Sequence, residues 1–465
     1  MSTLTSKQRK LVYLGGILAF LIPVILLGMP ATDTTGDTGG KIAQLRHKYE
    51  LGESTLGDVD PSGAAANLVL LGLRGPAVTT LHLQAIKEKE TKNWAKLRSS
   101  VNSIITLQPH FKKIWRFQGW NLAYNVSVEW DDIEDRFYWV KEGIKFVQDG
   151  SRRNTRYAEL PWELGRMTGA KIGESDERVY FRKFFLVDPD EELYEGGPDP
   201  EINPEGKDNY LVSRDHYLEA NVREEKYGQE IQTRMIFRSY PAKAYQEHAE
   251  ALQKEGFFGD RVRLAWESAF DAWTVEYGQE EVDCPSLYQA SEATPRSGIL
   301  MLESNAENIA NLAIQNGVSE DLQREWTDRY QKMVHYGYWR KRTEVEREEL
   351  TVAAHREIYA GKQLFREGKT SARGEDGELP SEARAKLEQG MRKLESVLKD
   401  PRFVQLQNED EMLEEALLAV MYWRKIYQLN GAAIPADYPL KWLWDGNQER
   451  VKTITQLWNR EQRGL

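Results

Sequence analysis

The chain has 465 residues, of which 40% are hydrophobic and 29% charged, so it can bury more than one core. Its formal net charge of −11 argues against nucleic acid as a partner, because phosphate contacts need a basic surface. The single cysteine, Cys284, excludes an intramolecular disulfide framework and a zinc site made of several thiolates.

The N-terminal segment has the sequence pattern of a membrane anchor. Residues 11–29 contain no charged side chain and are about long enough to cross a bilayer as a helix. Lys7, Arg9 and Lys10 precede this run, so the positive-inside rule predicts a cytoplasmic N-terminus, residues 1–10, and a single-pass protein of the cytoplasmic membrane. The body is then expected on the extracytoplasmic, periplasmic side. A cleaved signal peptide is the alternative, and the length of the run favours an uncleaved anchor.

The rest of the chain predicts a stalk followed by a helical body. Residues 30–75 begin with Thr, Gly and Asp and are expected to form a stalk or linker. From Val78 onward, apolar residues recur mostly at helical spacing, and long alternating patterns of the strand type are absent. We therefore expect an all-α fold: one transmembrane helix, then a degenerate tetratricopeptide-like α-solenoid with loop insertions. Breaks rich in Pro and Gly divide the body into repeats at 76–188, a loop insertion at 189–215, a helical block at 216–283, a loop at 284–300 and a C-terminal helical-repeat block at 301–465.

The repeat spacing is clearest between residues 81 and 165. A tetratricopeptide unit has a large residue and a small, close-packing residue in its first helix, apolar residues in its second, and a Pro at the closing turn. The residues that fit this register are Leu81 and Ala85 in a first helix, Leu97, Val101 and Ile104 in a second helix, Pro109 at the turn, Trp115, Gly119 and Leu122 in the next first helix, and Trp162, Leu164 and Gly165 in a third. In this register the Trp-rich stretch 107–125 is a joint between repeats rather than a ligand site.

Charged residues of the C-terminal block are expected on solvent-exposed helix faces. The stretch 338–350, YWRKRTEVEREEL, predicts a helix with opposite charges at helical spacing. His355 is one of seven histidines, none of which has the spacing of a metal pair, so a solvated position is expected for it. We find no motif for catalysis, a cofactor or a metal.

An acidic loop beside tryptophan offers a different hypothesis. Trp130, Asp131, Asp132 and Asp135 lie in an insertion between two repeat helices, where acids beside aromatics can hold calcium or a sugar, or hydrolyse a glycosidic bond. The favoured interpretation is structural, because an Asp at this point caps the helix that follows.

Four stretches resemble a family of large, membrane-anchored helical-repeat proteins of compartmentalised bacteria. They are LQPHFKKIWRFQGWNLAYNVSVEWDDIEDRFYWVKEGIKFVQDGSRRN, LPWELGRMTGAKIG, FRSYPAKAYQEHAEALQKEGFFGDRVRLAWESAFDAW and HYGYWRKRTEVEREE. The resemblance implies an N-terminal anchor and a tetratricopeptide-like body, without catalytic residues to carry over. Members often have an iron-responsive-element label, but nothing in these residues indicates a role with iron or RNA.

These patterns lead to two functional hypotheses. The first is a membrane-anchored scaffold for protein–protein interaction without catalysis, which binds an unidentified protein or peptide on the concave face of the repeats. The second is an extracytoplasmic carbohydrate- or calcium-binding module, or a hydrolase, that uses the acidic-aromatic loop 130–137.

Overall fold

The protein is mainly helical, which confirms the predicted all-α class in outline. It divides into two compact units, Met1–Ile231 and Gln232–Leu465. The computed structural model describes residues 6–28, 40–48, 74–228, 233–287, 295–370 and 381–463.

The predicted anchor lies within helix α1, Ser6–Gly28, apart from Met29, which is outside the described residues. Across the described parts of the chain, no helix is both long enough and apolar enough to cross a membrane. The structure therefore does not support the predicted membrane-spanning helix. A short helix α2, Lys41–Lys48, lies within the predicted stalk, most of which is outside the described residues.

The body of unit 1 is built from pairs of helices. The elements in chain order are α3 (Arg74–Glu90), α4 (Trp94–Leu107), α5 (Lys112–Trp120), a π-helical turn (Asn121–Val126), a 3₁₀ turn (Ser127–Glu129), α6 (Ile133–Arg153), α7 (Glu159–Arg166), a second π-helical turn (Met167–Lys171), α8 (Arg178–Leu186), α9 (Glu191–Tyr194) and α10 (Asn209–Tyr227). Helix α3 packs on α4, α5 on α6, and α7 on α10. The third pair is separated by an insertion that carries α8 and α9, so the segment 189–215, predicted as a loop, includes α9 and the start of α10.

The core of unit 1 uses the residues that repeat spacing selects. Leu97, Val101 and Ile104 lie three and four residues apart on one face of α4, and all three are buried. Ala85 of α3 is fully buried against them, whereas Leu81 is half-buried at the edge of the same core. The Asn93 side chain caps α4 by accepting a hydrogen bond from the Lys96 N–H at 3.3 Å.

The Trp-rich stretch forms the joint between α4 and α6. Trp115 is buried, and its indole Nε1 donates a hydrogen bond to the Pro109 carbonyl at 2.8 Å. Asn154, at the end of α6, donates to the same carbonyl at 3.2 Å. A Cβ on Gly150 would lie 2.6 Å from Trp115 Cγ, so the indole fills the space left by that glycine. Trp115 thus packs inside unit 1, and the Pro109 carbonyl joins it to the end of α6.

Helices α5 and α6 cross where both have glycine. A Cβ on Gly143 would lie 2.7 Å from the Gly119 carbonyl oxygen, and a Cβ on Gly119 would overlap with Val147 Cγ2. In the third pair, a Cβ on Gly165 would lie 2.6 Å from Tyr217 Cε1 of α10. Around Gly165, Leu164 is buried and Trp162 half-buried.

The expected position of Leu122 is wrong. Repeat spacing predicts that Leu122 fills the core, but it is half-buried, and Ala123 is the fully buried residue. The cause is the π-helical turn at Asn121–Val126, which contains an extra residue and rotates the following side chains around the helix axis. A pattern with a constant period of 3.6 cannot anticipate this rotation.

Unit 2 adds a β-hairpin to a helical framework. Its elements are α11 (Arg234–Arg238), α12 (Tyr240–Lys254), α13 (Asp260–Asp271), a π-helical turn (Ala272–Glu276), β1 (Val282–Leu287), β2 (Arg296–Leu300), α14 (Ala306–Asn316), α15 (Glu320–Met333), α16 (Tyr336–Glu346), α17 (Glu349–Arg366), α18 (Glu382–Leu398), a 3₁₀ turn (Val404–Asn408), α19 (Asp410–Leu429), α20 (Lys441–Gly446) and α21 (Gln448–Arg463). Helices α17 and α18 form a hairpin like those of unit 1, since a Cβ on Gly390 would lie 2.6 Å from Ile358 Cγ1.

The predicted loop at 284–300 is in part a two-stranded sheet. Strands β1 and β2 are antiparallel, with Val282 opposite Leu300 and Cys284 opposite Gly298. Val282, Cys284 and Leu300 are buried in the core that surrounds Trp326. The run is too short and too interrupted by polar residues for its sequence alone to indicate a strand, and burial against the helices stabilises it.

Replacing Gly119 with leucine is expected to destabilise the protein by roughly 1–3 kcal/mol, because the new side chain overlaps with Val147 and the backbone of α6. Gly75→Leu is the matched control in the same unit, since nothing lies within 4 Å of a Cβ at Gly75. Urea denaturation of both variants measures the difference. Equal stability of the two would contradict the close approach of α5 and α6.

Candidate functional site

A cleft of about 390 Å³ lies between α4, the first π-helical turn and α6. We refer to it as the tryptophan cleft, because three indole rings contribute to its walls. Residues from the two neighbouring helix pairs thus surround one space. Among the residues that line it are Trp94, Arg98, Gln118, Asn121, Leu122, Trp130, Trp139 and Glu142.

The aromatic wall consists of Trp130 and Trp139, whose rings stack with centroids 6.2 Å apart and planes 28° apart. Trp130 is 42% exposed, which is high for so large an apolar side chain. Its carbonyl accepts a hydrogen bond from Arg136 Nε at 2.7 Å, which fixes the backbone before α6. The indoles therefore present a firm apolar surface to the cleft.

Two amide side chains in the cleft have unused hydrogen-bonding atoms. Gln118 is 4% exposed and Asn121 is fully buried, yet Gln118 Oε1 and Asn121 Nδ2 have no partner among the described residues. The other end of the Asn121 amide is paired, because its Oδ1 accepts from Asn125 Nδ2 at 2.8 Å. Buried polar atoms in proteins are nearly always paired. The cleft lining therefore contains one acceptor and one donor that a ligand could pair.

The π-helical turn contributes three residues to the lining of the cleft. It begins at Asn121, directly after α5, and changes the direction of the side chains that follow. Asn121, Leu122 and Val126 line the cleft, and Gln118 shares a helix face with Asn121 because the two are three residues apart. Such turns cost stability relative to a regular helix and often occur at functional sites.

Opposite charges stand at the cleft without intramolecular partners. Arg98 is exposed and Glu142 half-buried, and neither side chain forms a hydrogen bond or ion pair with another described residue. Lys145 differs, because its amine lies 2.8 Å from Asp199 Oδ2 and 3.2 Å from Glu201 Oε2. Arg98 and Glu142 are therefore available to charged groups of a ligand.

In the acidic loop, one aspartate caps the helix that follows. Asp132 Oδ1 accepts a hydrogen bond from the Glu134 N–H at 2.9 Å and so caps α6. Asp131 and Asp135 are exposed, and neither lines the tryptophan cleft. In the described parts of the chain, no three His, Cys, Asp or Glu side chains are grouped as a metal site. Trp130 is the loop residue that reaches the cleft.

A second cleft, of about 350 Å³, lies in unit 2 between the end of α12, α17 and α19. We refer to it as the charged cleft. His355 is at its base, with Nε2 2.8 Å from Glu346 Oε2 and Nδ1 2.8 Å from Glu415 Oε1. Arg342 lies 2.9 Å from the other oxygen of Glu346. The expectation of solvated charges is wrong here, because His355, Arg342 and Glu346 are all buried.

The two carboxylates keep His355 protonated. Burial alone would lower the pKa of His355, but the charges of Glu346 and Glu415 outweigh burial and raise it to about 10. Burial acts to raise the pKa of Glu415, and the His355 charge overcomes this and lowers it to about 2. The group is an ion network that ties α16, α17 and α19 together.

No protein-family model matches the chain, and comparison with curated proteins gives no match. The resemblance to membrane-anchored repeat proteins therefore stays a prediction. Both clefts have to be interpreted from their own chemistry.

Sequence reasoning missed the polar residues of both clefts. Gln118 and Asn121 belong to the stretch interpreted as a repeat joint, and no spacing rule singles them out. His355 and Glu346 come from a highly charged segment that has the pattern of a surface helix. The sequence places Glu346 and His355 nine residues apart, on either side of a helix boundary. That spacing alone does not indicate that the two side chains form an ion pair.

Replacing His355 with glutamine is expected to destabilise unit 2 by about 3–5 kcal/mol near neutral pH, since it removes the cation that the buried Glu346 and the half-buried Glu415 share and leaves Glu415 without an ion pair. Because the pKa of His355 is higher in the folded than in the unfolded chain, the loss of unfolding free energy is largest below the unfolded pKa of histidine, about 6.5. The loss becomes smaller as the pH rises towards about 10. Urea denaturation of wild type and variant across this range measures it. His335→Gln, at an exposed histidine, is the control. A difference that does not shrink with rising pH would contradict the charged state of His355.

Proposed function

We propose that the protein is a scaffold of tetratricopeptide-like helix pairs that binds an extended segment of a partner protein in the tryptophan cleft. One observation carries this proposal: Gln118 Oε1 and Asn121 Nδ2 are buried at the cleft without partners. The proposal invokes recognition, and no bond is made or broken.

A peptide segment matches this pair of atoms. The N–H donor and C=O acceptor of one residue in an extended chain lie on the same edge of that chain, where they can pair with Gln118 Oε1 and Asn121 Nδ2 respectively. An unpaired buried donor or acceptor costs about 1–3 kcal/mol, so a ligand that pairs both recovers that free energy on binding. Main-chain recognition of this kind gives affinity that depends little on sequence.

The walls of the cleft add selectivity for side chains. Trp94, Trp130 and Trp139 offer apolar surface to an aliphatic or aromatic side chain, and indoles are frequent energetic centres of protein interfaces. Arg98 and Glu142 can pair with an acidic and a basic side chain of the same segment. We therefore expect a partner sequence in which a large apolar residue has charged neighbours.

Carbohydrate binding is the second candidate function. The stacked and partly exposed pair of Trp130 and Trp139 favours it, because sugar rings pack their C–H faces on indoles. Amides at the floor would then pair with hydroxyl groups. Peptide binding is preferred because the cleft also contains Arg98 and Glu142, which can pair with charged side chains that a neutral sugar lacks.

Membrane attachment through residues 11–29 is a separate part of the proposal and rests on the sequence. The run has no charge and follows Lys7, Arg9 and Lys10, which favours an N-terminus in the cytoplasm and the repeats on the other side.

Replacing Gln118 with methionine is expected to weaken peptide binding by about 1 kcal/mol or more without loss of stability, because it removes an acceptor that has no partner in the folded chain. Trp139→Ala is expected to cost about 2 kcal/mol or more of binding free energy. The measurement is fluorescence anisotropy of the full chain with labelled peptides selected from a random octapeptide library.

Tyr180→Ala is the control, because Tyr180 is an exposed aromatic of unit 1 outside the cleft. Unchanged peptide affinity in both cleft variants would overturn the proposal. A parallel glycan array tests the second candidate. Oligosaccharide binding that is lost in Trp139→Ala, with no peptide selected, would establish carbohydrate as the ligand instead.

Deleting residues 6–28 is expected to move the protein from the carbonate-resistant membrane fraction to the supernatant, since the apolar run provides the attachment. A C-terminal alkaline phosphatase fusion of the full chain should be active, and a cytoplasmic reporter at the same position inactive. Release of the full chain by carbonate would contradict attachment, and the reverse reporter result would contradict the orientation.

A further inference from the structure

The charged cleft of unit 2 contains a lysine whose charge is not balanced. Lys362 lies on the same face of α17 as His355 and Tyr359, and all three line the cleft. Its side chain is half-buried and forms no hydrogen bond or ion pair with another described residue. Burial lowers the pKa of Lys362, which Glu415 and Glu414 only partly oppose. These carboxylates act on Lys362 from a distance, so a ligand anion in direct contact with the partly buried ammonium would stabilise it further.

The other cations of the cleft are already paired. Arg342 and His355 share the carboxylates of Glu346 and Glu415, as described above. Lys254 lies 3.6 Å from Glu250 Oε2. Lys362 is therefore the cation of this cleft, within the described chain, that has an unused positive charge.

One carboxylate in the same cleft is also unpaired. Glu414 of α19 is exposed, lines the cleft, and forms no hydrogen bond or ion pair through its side chain with another described residue. It is close enough to Lys362 to affect its titration, but the two do not form a salt bridge. The cleft thus presents one unused positive and one unused negative group.

The presence of both charges, on Lys362 and Glu414, determines which charges a ligand should have. A phosphate dianion at Lys362 would be repelled by Glu414 and Glu415, whose charges are close by in a partly desolvated site. A monocarboxylate that also carries an ammonium satisfies Lys362 and Glu414 together. The carboxylate of such a ligand pairs with the Lys362 ammonium, and its ammonium pairs with the Glu414 carboxylate.

The remaining wall of the cleft is apolar and firmly held. The rings of Phe258 and Tyr359 pack with centroids 5.5 Å apart, and Leu418 lies on the facing helix. Gly256 has a φ of +85°, and a Cβ there would lie 2.6 Å from the Tyr359 hydroxyl, so only glycine lets this loop lie against the ring. This wall suits an aliphatic or aromatic side chain.

We propose that the charged cleft binds a free α-amino acid with an apolar side chain. Lys362 pairs with the α-carboxylate, Glu414 with the α-ammonium, and the side chain packs on Phe258, Tyr359 and Leu418. The ion network around His355 forms a rigid base and takes no direct part. This site lies within unit 2 and does not depend on peptide binding in unit 1.

Isothermal titration calorimetry of the full chain with L-leucine and L-phenylalanine tests the proposal. Isocaproate and isoamylamine are leucine without its ammonium and without its carboxylate, and each is expected to bind at least about tenfold more weakly than leucine. Inorganic phosphate is expected not to bind.

Lys362→Met and Glu414→Gln are each expected to weaken leucine binding by at least about tenfold, and Lys254→Gln, at the paired and exposed lysine of the same cleft, to leave it unchanged. Lys362→Met should leave the melting temperature near that of the wild type, because it removes a partly buried ammonium that forms no ion pair, so lost binding in that variant is not lost folding. No heat with either amino acid, wild-type affinity in Lys362→Met, or equal binding of leucine and isocaproate would overturn the proposal. Phosphate binding in place of leucine would also overturn it, since the cleft would then be an anion site.

Discussion

Glycines at the helix crossings let the paired helices of this protein pack closely. The spacing of the surrounding elements depends on this close approach. At Gly119 and Gly143 two helix backbones meet with no side chain between them. In unit 2, glycines at a helix crossing instead make room for large side chains, since Gly361 and Gly390 lie against Leu387 and Ile358. Near the end of α6 in unit 1, Trp115 fills the space at Gly150 in the same way. Dispersion contacts there replace those that the glycines lack.

The tryptophan cleft adjoins the same crossing. The π-helical turn follows α5 directly, and its residues Asn121 and Leu122 line the cleft, whereas Ala123 is fully buried in the core. One short segment therefore supplies residues to both the cleft and the core, and the residue that it buries in the core is the small Ala123. Turns of this kind often occur at functional sites.

Much of unit 1 could be predicted from the sequence, because its core residues follow a helical period. Leu97, Val101, Ile104, Trp115 and Gly119 are buried as that period requires. The prediction fails at Leu122, where the period itself changes, and at the hairpin β1–β2, which depends on burial by distant helices. The polar sites could not be predicted at all. The roles of the buried Asn121 and His355 depend on which groups lie next to them in the folded chain. A single sequence does not show those contacts.

The position of Cys284 has a practical consequence for following the dynamics of unit 2. It is the one cysteine of the chain, and it is 2% exposed in β1, in register with Gly298 of β2. A thiol reagent can reach it only after the hairpin separates from the helices behind it, so the rate of labelling reports how often that part of the protein opens. The chain therefore contains a natural single-site probe of local unfolding, which needs no engineered cysteine and no removal of competing thiols.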